Sequence, residues 1–200
     1  MLFDISFLSI AGLTAGFLSF TAYILYMVTT VWGKTRPNRV TWWILTVVNL
    51  IILTSYYSIG ARDTVWIPAS YVLGSLIIAL LSLRYGEGGW SRFDQLCACG
   101  AGVSIALWWL FTAPFLALLA SMSIDFLGLL PTVRKSFLRP HTEDRTAWTL
   151  DFFASAINLF AVEHWIFDVA VYPIYLVLMN GLIAALLFRK RRRIRVTSRV

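Results

Sequence analysis

The chain has 200 residues, 59% of them hydrophobic and 14% charged, with a net charge of +7 at neutral pH. Soluble domains average about 45–50% apolar and about 25% charged residues, so a water-soluble core cannot hide this surplus and lipid is the expected solvent. The positive charge does not mark a nucleic-acid surface, because seven of the 17 basic residues lie in the last twelve positions, behind an apolar run, as a membrane-flanking tail.

A crossing helix needs about 20 mainly apolar residues, and seven segments qualify. The first covers about 5–32. It opens MLFDISFLSIAG, with an acid and no base before Lys34, so it lacks the basic lead of a cleaved signal and reads as a retained helix. TRPNRVTWW (35–43) introduces the second, about 40–58, and the third covers about 65–83. GEGG at 86–89 lacks the lysine and the strand-to-helix setting of a phosphate cradle and reads as a flexible turn.

The fourth segment, about 94–112, holds Cys97 and Cys99. Their spacing is too short for a metal or redox pair, and no histidine joins them. They are expected as small buried apolar side chains. From Leu96 to Pro131 only Asp125 is charged, and one helix over that run would span about 54 Å against a core of about 30 Å. It must turn back, with Thr112-Ala113-Pro114 the natural break. The fifth segment covers about 114–133. RPHTEDRTAW (139–148) leads into the sixth, about 147–163, and the seventh covers about 169–188.

Alternating the loops puts sixteen basic residues on one side and only Arg62 on the other; without the tail the partition is still nine to one. Basic loops stay cytoplasmic, which sets the N-terminus outside and the C-terminus inside, with the plasma (inner) membrane the expected location. All nine tryptophans fall at helix ends or in a loop, as an interfacial belt. Glu163 and His164 fall on the outer loop and are expected to be solvated.

The chain also repeats itself. At an offset of 106 residues Arg39 meets Arg145, Trp42 meets Trp148 and Ile51 meets Ile157; further on, Leu76, Ile77 and Ala79 meet Leu182, Ile183 and Ala185. One offset held across two helices and their loop argues for duplication. A three-helix unit ends on the face opposite its start, so a second copy of like orientation needs one extra crossing between the copies. The expected organisation is therefore all-α: residues 1–85 as the first three-helix repeat, 86–113 as a linker helix, 114–188 as the second repeat and 189–200 as a basic cytoplasmic tail.

This count, orientation and three-one-three order resemble the SWEET and PQ-loop family of small transporters over essentially the whole chain. DFLGLLPTVRKSFLRP is similar to the PQ-loop segment, where a proline lets the helix bend, which makes Pro131 a hinge by resemblance. The pair is Pro131-Thr132 here, the first helix has no matching proline, and the second-helix asparagine signature is loose in NLIILTSYYSIG.

Polar groups inside the spans mark functional candidates. Asp151, Ser155 and Asn158 form one helical stripe; Trp42, Thr46, Asn49 and Tyr56 form a comparable one, with Asn49 equivalent to Ser155. Ser121, Asp125, Gly128 and Thr132 form a third. Asn49 and Asn158 serve equally well as interhelical glue or as cargo contacts. Asn180 corresponds, by resemblance, to an asparagine that binds substrate in the family. Asp151 either pairs with Arg145 at the interface or works with the cargo. Asp125 has no basic partner nearby in sequence and is the candidate for proton coupling or ligand binding.

The leading expectation is a carrier for a small polar solute, a sugar by resemblance or a cationic or zwitterionic metabolite because of Asp125. The alternative is a membrane receptor or scaffold of the same fold that transports nothing. A retinal protein is excluded because Lys34, Lys135 and Lys190 all lie at span edges, and an intramembrane aspartyl site at Asp125 and Asp151 is disfavoured, so no enzyme is expected. No cofactor, metal or nucleic acid is expected; the partners are the bilayer, the solute and, as an open option, a second copy of the chain.

Overall fold

The structure is a computed structural model and describes residues 7–88, 91–110 and 114–189. These hold seven α-helices: α1 (Phe7–Val31), α2 (Arg39–Ser58), α3 (Trp66–Tyr85), α4 (Arg92–Leu110), α5 (Pro114–Leu138), α6 (Arg145–Asn158) and α7 (Phe167–Phe188). Short 3₁₀ turns at Asp63–Val65, Pro140–Thr142 and Leu159–Ala161 link some of them. The expected break at Thr112-Ala113, the tail beyond Arg189 and Trp90 lie outside the described residues.

Local chemistry starts the helices where the sequence repeats. Asn38 caps α2 by accepting from the Thr41 amide at 3.0 Å, and Asp144 caps α6 by accepting from the Ala147 amide at 2.8 Å. Each satisfies an amide that the first helical turn leaves unpaired. The two caps are also 106 residues apart, so the repeated phrase is a capped helix start carrying an arginine and then a tryptophan. α4 begins with a reciprocal box: Ser91 accepts from the Asp94 amide, and Asp94 accepts from the Ser91 amide and hydroxyl. α1 and α2 are followed by Gly33 and Gly60 at φ of 71° and 106°, a left-handed backbone that other residues enter at a cost.

Two boundaries differ from expectation. α5 does not end near 133 but runs through Pro131 to Leu138; its basic last turn is neutralised where Lys135 pairs with Glu143. α6 stops at Asn158 and tightens into a 3₁₀ turn, after which Glu163 accepts from the Arg62 and Asp63 amides of the α2–α3 loop. That contact makes Glu163 a loop anchor rather than a solvated group.

Helix pairing follows a simple order. α3 packs against both α1 and α2, and α7 against both α5 and α6; across the bundle α1 lies on α6 and α2 on α5, while α4 packs along α5. Exchanging α1 with α5, α2 with α6 and α3 with α7 maps the six pairs that do not involve α4 onto themselves, while α4 sides with α5. Small residues bring α1 and α3 together: Gly12 and Gly16, one turn apart, lie against the Asp63 carbonyl and the Trp66 side chain, and the Tyr23 ring rests on Gly74.

Four segments, Phe7–Val31, Arg39–Ser58, Asp63–Tyr85 and Phe167–Phe188, are long and apolar enough to cross a membrane. The polarity of the bundle agrees: Phe17, Leu73 and Leu178 face outward, while Asn49, Asp125, Asp151, Asn158 and Asn180 are buried. The protein reads as a membrane protein.

The tryptophan belt needs a correction. Trp32, Trp43, Trp66, Trp109 and Trp165 are exposed, but Trp42 and Trp148 are 3% and 7% exposed and belong to the core. Their rings are drawn inward because the two helix starts face each other across α1. Cys99 also departs from expectation: it is exposed, on a helix that packs mainly along α5. The Cys97 and Trp108 side chains lie outside what is described.

Candidate functional site

Each polar stripe contributes one or two residues to one cavity of about 40 Å³, room for about three waters. Six helices line it and, among the described residues, α4 contributes none. α2 supplies Trp42, Leu45 and Asn49, α6 supplies Ala147, Trp148 and Asp151, and α5 supplies Asp125 and Leu129. Tyr23 and Tyr26 enter from α1, Tyr71 from α3, and Leu176, Met179 and Asn180 from α7.

Asp151 anchors a hydrogen-bond network over four helices. Its Oδ1 accepts from Ser19 of α1 at 2.7 Å and its Oδ2 from Tyr71 of α3 at 2.7 Å. Asn180 of α7 donates to the Tyr71 hydroxyl and to Ser155, each at 2.9 Å, and Ser155 returns to the Asp151 carbonyl at 2.8 Å. The pairing with Arg145, one of the two alternatives the sequence left open, is not made. Arg145 sits over the Phe188 ring at the helix start, more than one turn from Asp151, and Asp151 points inward.

Asp125 accepts from Tyr175 through Oδ2 at 2.5 Å. At the same 106-residue offset its counterpart is Ser19, and the counterpart of Asp151 is Leu45. The two interfaces across the bundle, α1 with α6 and α5 with α2, thus each hold one carboxylate, on opposite members of the pair. Asn49 donates to Ser75 at 3.2 Å, while its Oδ1 has no partner among the described residues.

The other sequence candidates lie elsewhere. Tyr56 is buried outside the cavity, its hydroxyl donating to the Val169 carbonyl at 2.8 Å and its ring packed on Tyr172. Asn158 is fully buried near the end of α6, and neither amide atom has a partner among the described residues. Ser155 does not line the cavity but bonds to Asn180 and Asp151, which do. Pro131 is buried within α5 and faces a separate cleft of about 290 Å³ that also meets Glu87, Asp94 and Arg134.

At the end carrying the basic loops, Tyr26 closes the cavity. Its ring lies 5.0 Å from Trp42 and 6.5 Å from Trp148. Behind it Glu143 Oε2 accepts from the Tyr26 hydroxyl at 2.8 Å and from Trp148 Nε1 at 3.0 Å, while its Oε1 pairs with Lys135 at 2.6 Å. Lys135 also donates to the Arg36 carbonyl and lies 3.7 Å from Glu87. One buried ion pair therefore ties α5 to both basic-tryptophan phrases.

Sequence reasoning missed Ser19, Tyr23, Tyr26, Tyr71 and Glu143. A serine or tyrosine on an apolar helix carries no warning of its own; only Glu143, an acid inside the repeated phrase, gave a usable signal. Comparison with protein-family profiles, with curated proteins and with solved structures found no match to this chain.

Proposed function

We propose that the chain is a multi-pass carrier similar to the SWEET and PQ-loop transporters, moving a small polar solute by alternating access. In this reading all seven helices cross the membrane, α1–α3 and α5–α7 are like-oriented bundles, and α4 is the linker. The basic loops support an outside N-terminus and a cytoplasmic C-terminus, and the membrane in this reading is the plasma membrane.

The observation that carries the reading is the cavity's position: six helices, three from each bundle, surround polar groups, and the six main pairs among those helices exchange under one operation. Carriers built from parallel repeats hold cargo at the interface of their repeats and open by rocking one bundle against the other. The Tyr26 layer and the Lys135–Glu143 pair supply a closed mouth on the basic-loop side, so access there requires both bundles to separate.

The test is access from each face. With Cys97 and Cys99 replaced by alanine, Leu176→Cys in oriented vesicles should react with a membrane-impermeant thiol reagent added to either side. Reaction from one side alone under every condition contradicts the reading.

A further inference from the structure

The cavity holds two carboxyl groups and no basic side chain. Asp125 and Asp151 lie on its wall, 5% and 7% exposed, and no lysine, arginine or histidine is among the residues lining it. Lys135, the buried lysine at the basic-loop end, is committed to Glu143 behind the Tyr26 layer. A carboxylate taken out of water needs a compensating cation or a proton. A neutral polyol could satisfy the hydrogen bonds but not the charge.

The rest of the wall favours an organic cation over a bare ion. Tyr23 stands 5.4 Å from Tyr71 and 6.0 Å from Trp42, and Trp42 leads on through Tyr26 to Trp148, an unbroken run of five rings. Aromatic faces attract ammonium groups most strongly where water is excluded. A hard metal ion would instead need a shell of oxygens. Asn49, 1% exposed, adds an acceptor oxygen without a partner among the described residues.

We propose that the ligand of this cavity is a small organic ammonium compound, its cationic nitrogen answered by Asp125 and Asp151 and its carbon substituents held by the tyrosine–tryptophan run. A hydroxyl on such a compound can donate to Asn49. The proposal rests on the carrier reading for its claim that the ligand is cargo; the ligand class itself rests on the cavity wall.

The test titrates the full chain in lipid nanodiscs, following tryptophan fluorescence, with choline, the uncharged tert-butyl isostere of choline, and glucose. Choline should give a saturable change, with the isostere and glucose at least tenfold weaker. Asp125→Asn and Asp151→Asn should each weaken choline at least tenfold. The comparison of choline with its isostere needs no variant, so a misfolded mutant cannot mask the result. Absence of saturation by choline, equal binding of the isostere, tighter binding of glucose, or unchanged affinity in both folded asparagine variants overturns the proposal. Access from both faces at Leu176→Cys without choline binding removes this inference alone. Choline binding with access from one face removes the carrier reading and leaves the ligand class standing.

Discussion

Trp42 and Trp148, 106 residues apart, pack against the same ring, that of Tyr26, with centroids at 5.0 and 6.5 Å. The two are not equal. Trp148 donates to Glu143, whereas Trp42 Nε1 has no partner among the described residues, so one tryptophan is hydrogen-bonded and the other only packs. Trp148→Phe keeps a ring at the site and loses that bond, which should cost about 1–3 kcal/mol because a buried acceptor on Glu143 loses a donor. Unfolding of the detergent-solubilised protein measures it.

The buried ion pair behind Tyr26 makes a sharper prediction. Lys135 and Glu143 side chains are 3% and 0% exposed, and removing one partner strands the other. Lys135→Met or Glu143→Gln alone should destabilise by about 3–5 kcal/mol, whereas the double variant should recover much of the loss. A double-mutant cycle on unfolding checks this. Additive losses would mean that the two side chains do not act as a pair.

The caps test whether the repeated phrase works as a local signal. Asn38→Ala and Asp144→Ala each remove one acceptor from a helix start, and each should cost about 1 kcal/mol. Serine at either position should retain most of the stability, since its hydroxyl accepts the same kind of bond.

Gly74 admits the Tyr23 ring where a Cβ would overlap it. Gly74→Ala must move an aromatic wall of the cavity as well as strain the α1–α3 contact, at about 1–3 kcal/mol. Choline affinity should fall with it.

Tyr56 separates packing from binding. Its hydroxyl serves the Val169 carbonyl at a site away from the cavity, so Tyr56→Phe should lose about 1 kcal/mol of stability with ligand affinity unchanged. Asn49→Ala should do the reverse: lowered choline affinity, with a smaller effect on unfolding.

Much of the helical order was legible along the chain because lipid imposes it: a span must be long and apolar, and a polar group inside it must find a partner within the protein. Composition and the run from Leu96 to Pro131 both follow from that demand. Four of the expected spans are long and apolar enough to cross, and the asparagines and aspartates of the stripes are buried. Which of them share a cavity was decided only by packing. Asn49, Asp125, Asp151 and Asn180 line one cavity, while Tyr56 and Asn158 sit on the same stripes but about two turns too far along the helix. A stripe defines direction around an axis and says nothing about which neighbour crosses at that height. The partners of Asp151, Ser19 and Tyr71, are 132 and 80 residues away, and the inward turn of two tryptophans depends on α1 lying between two helix starts. Those are facts of tertiary approach, set where glycines let helices close in, and no periodicity within a single helix encodes them.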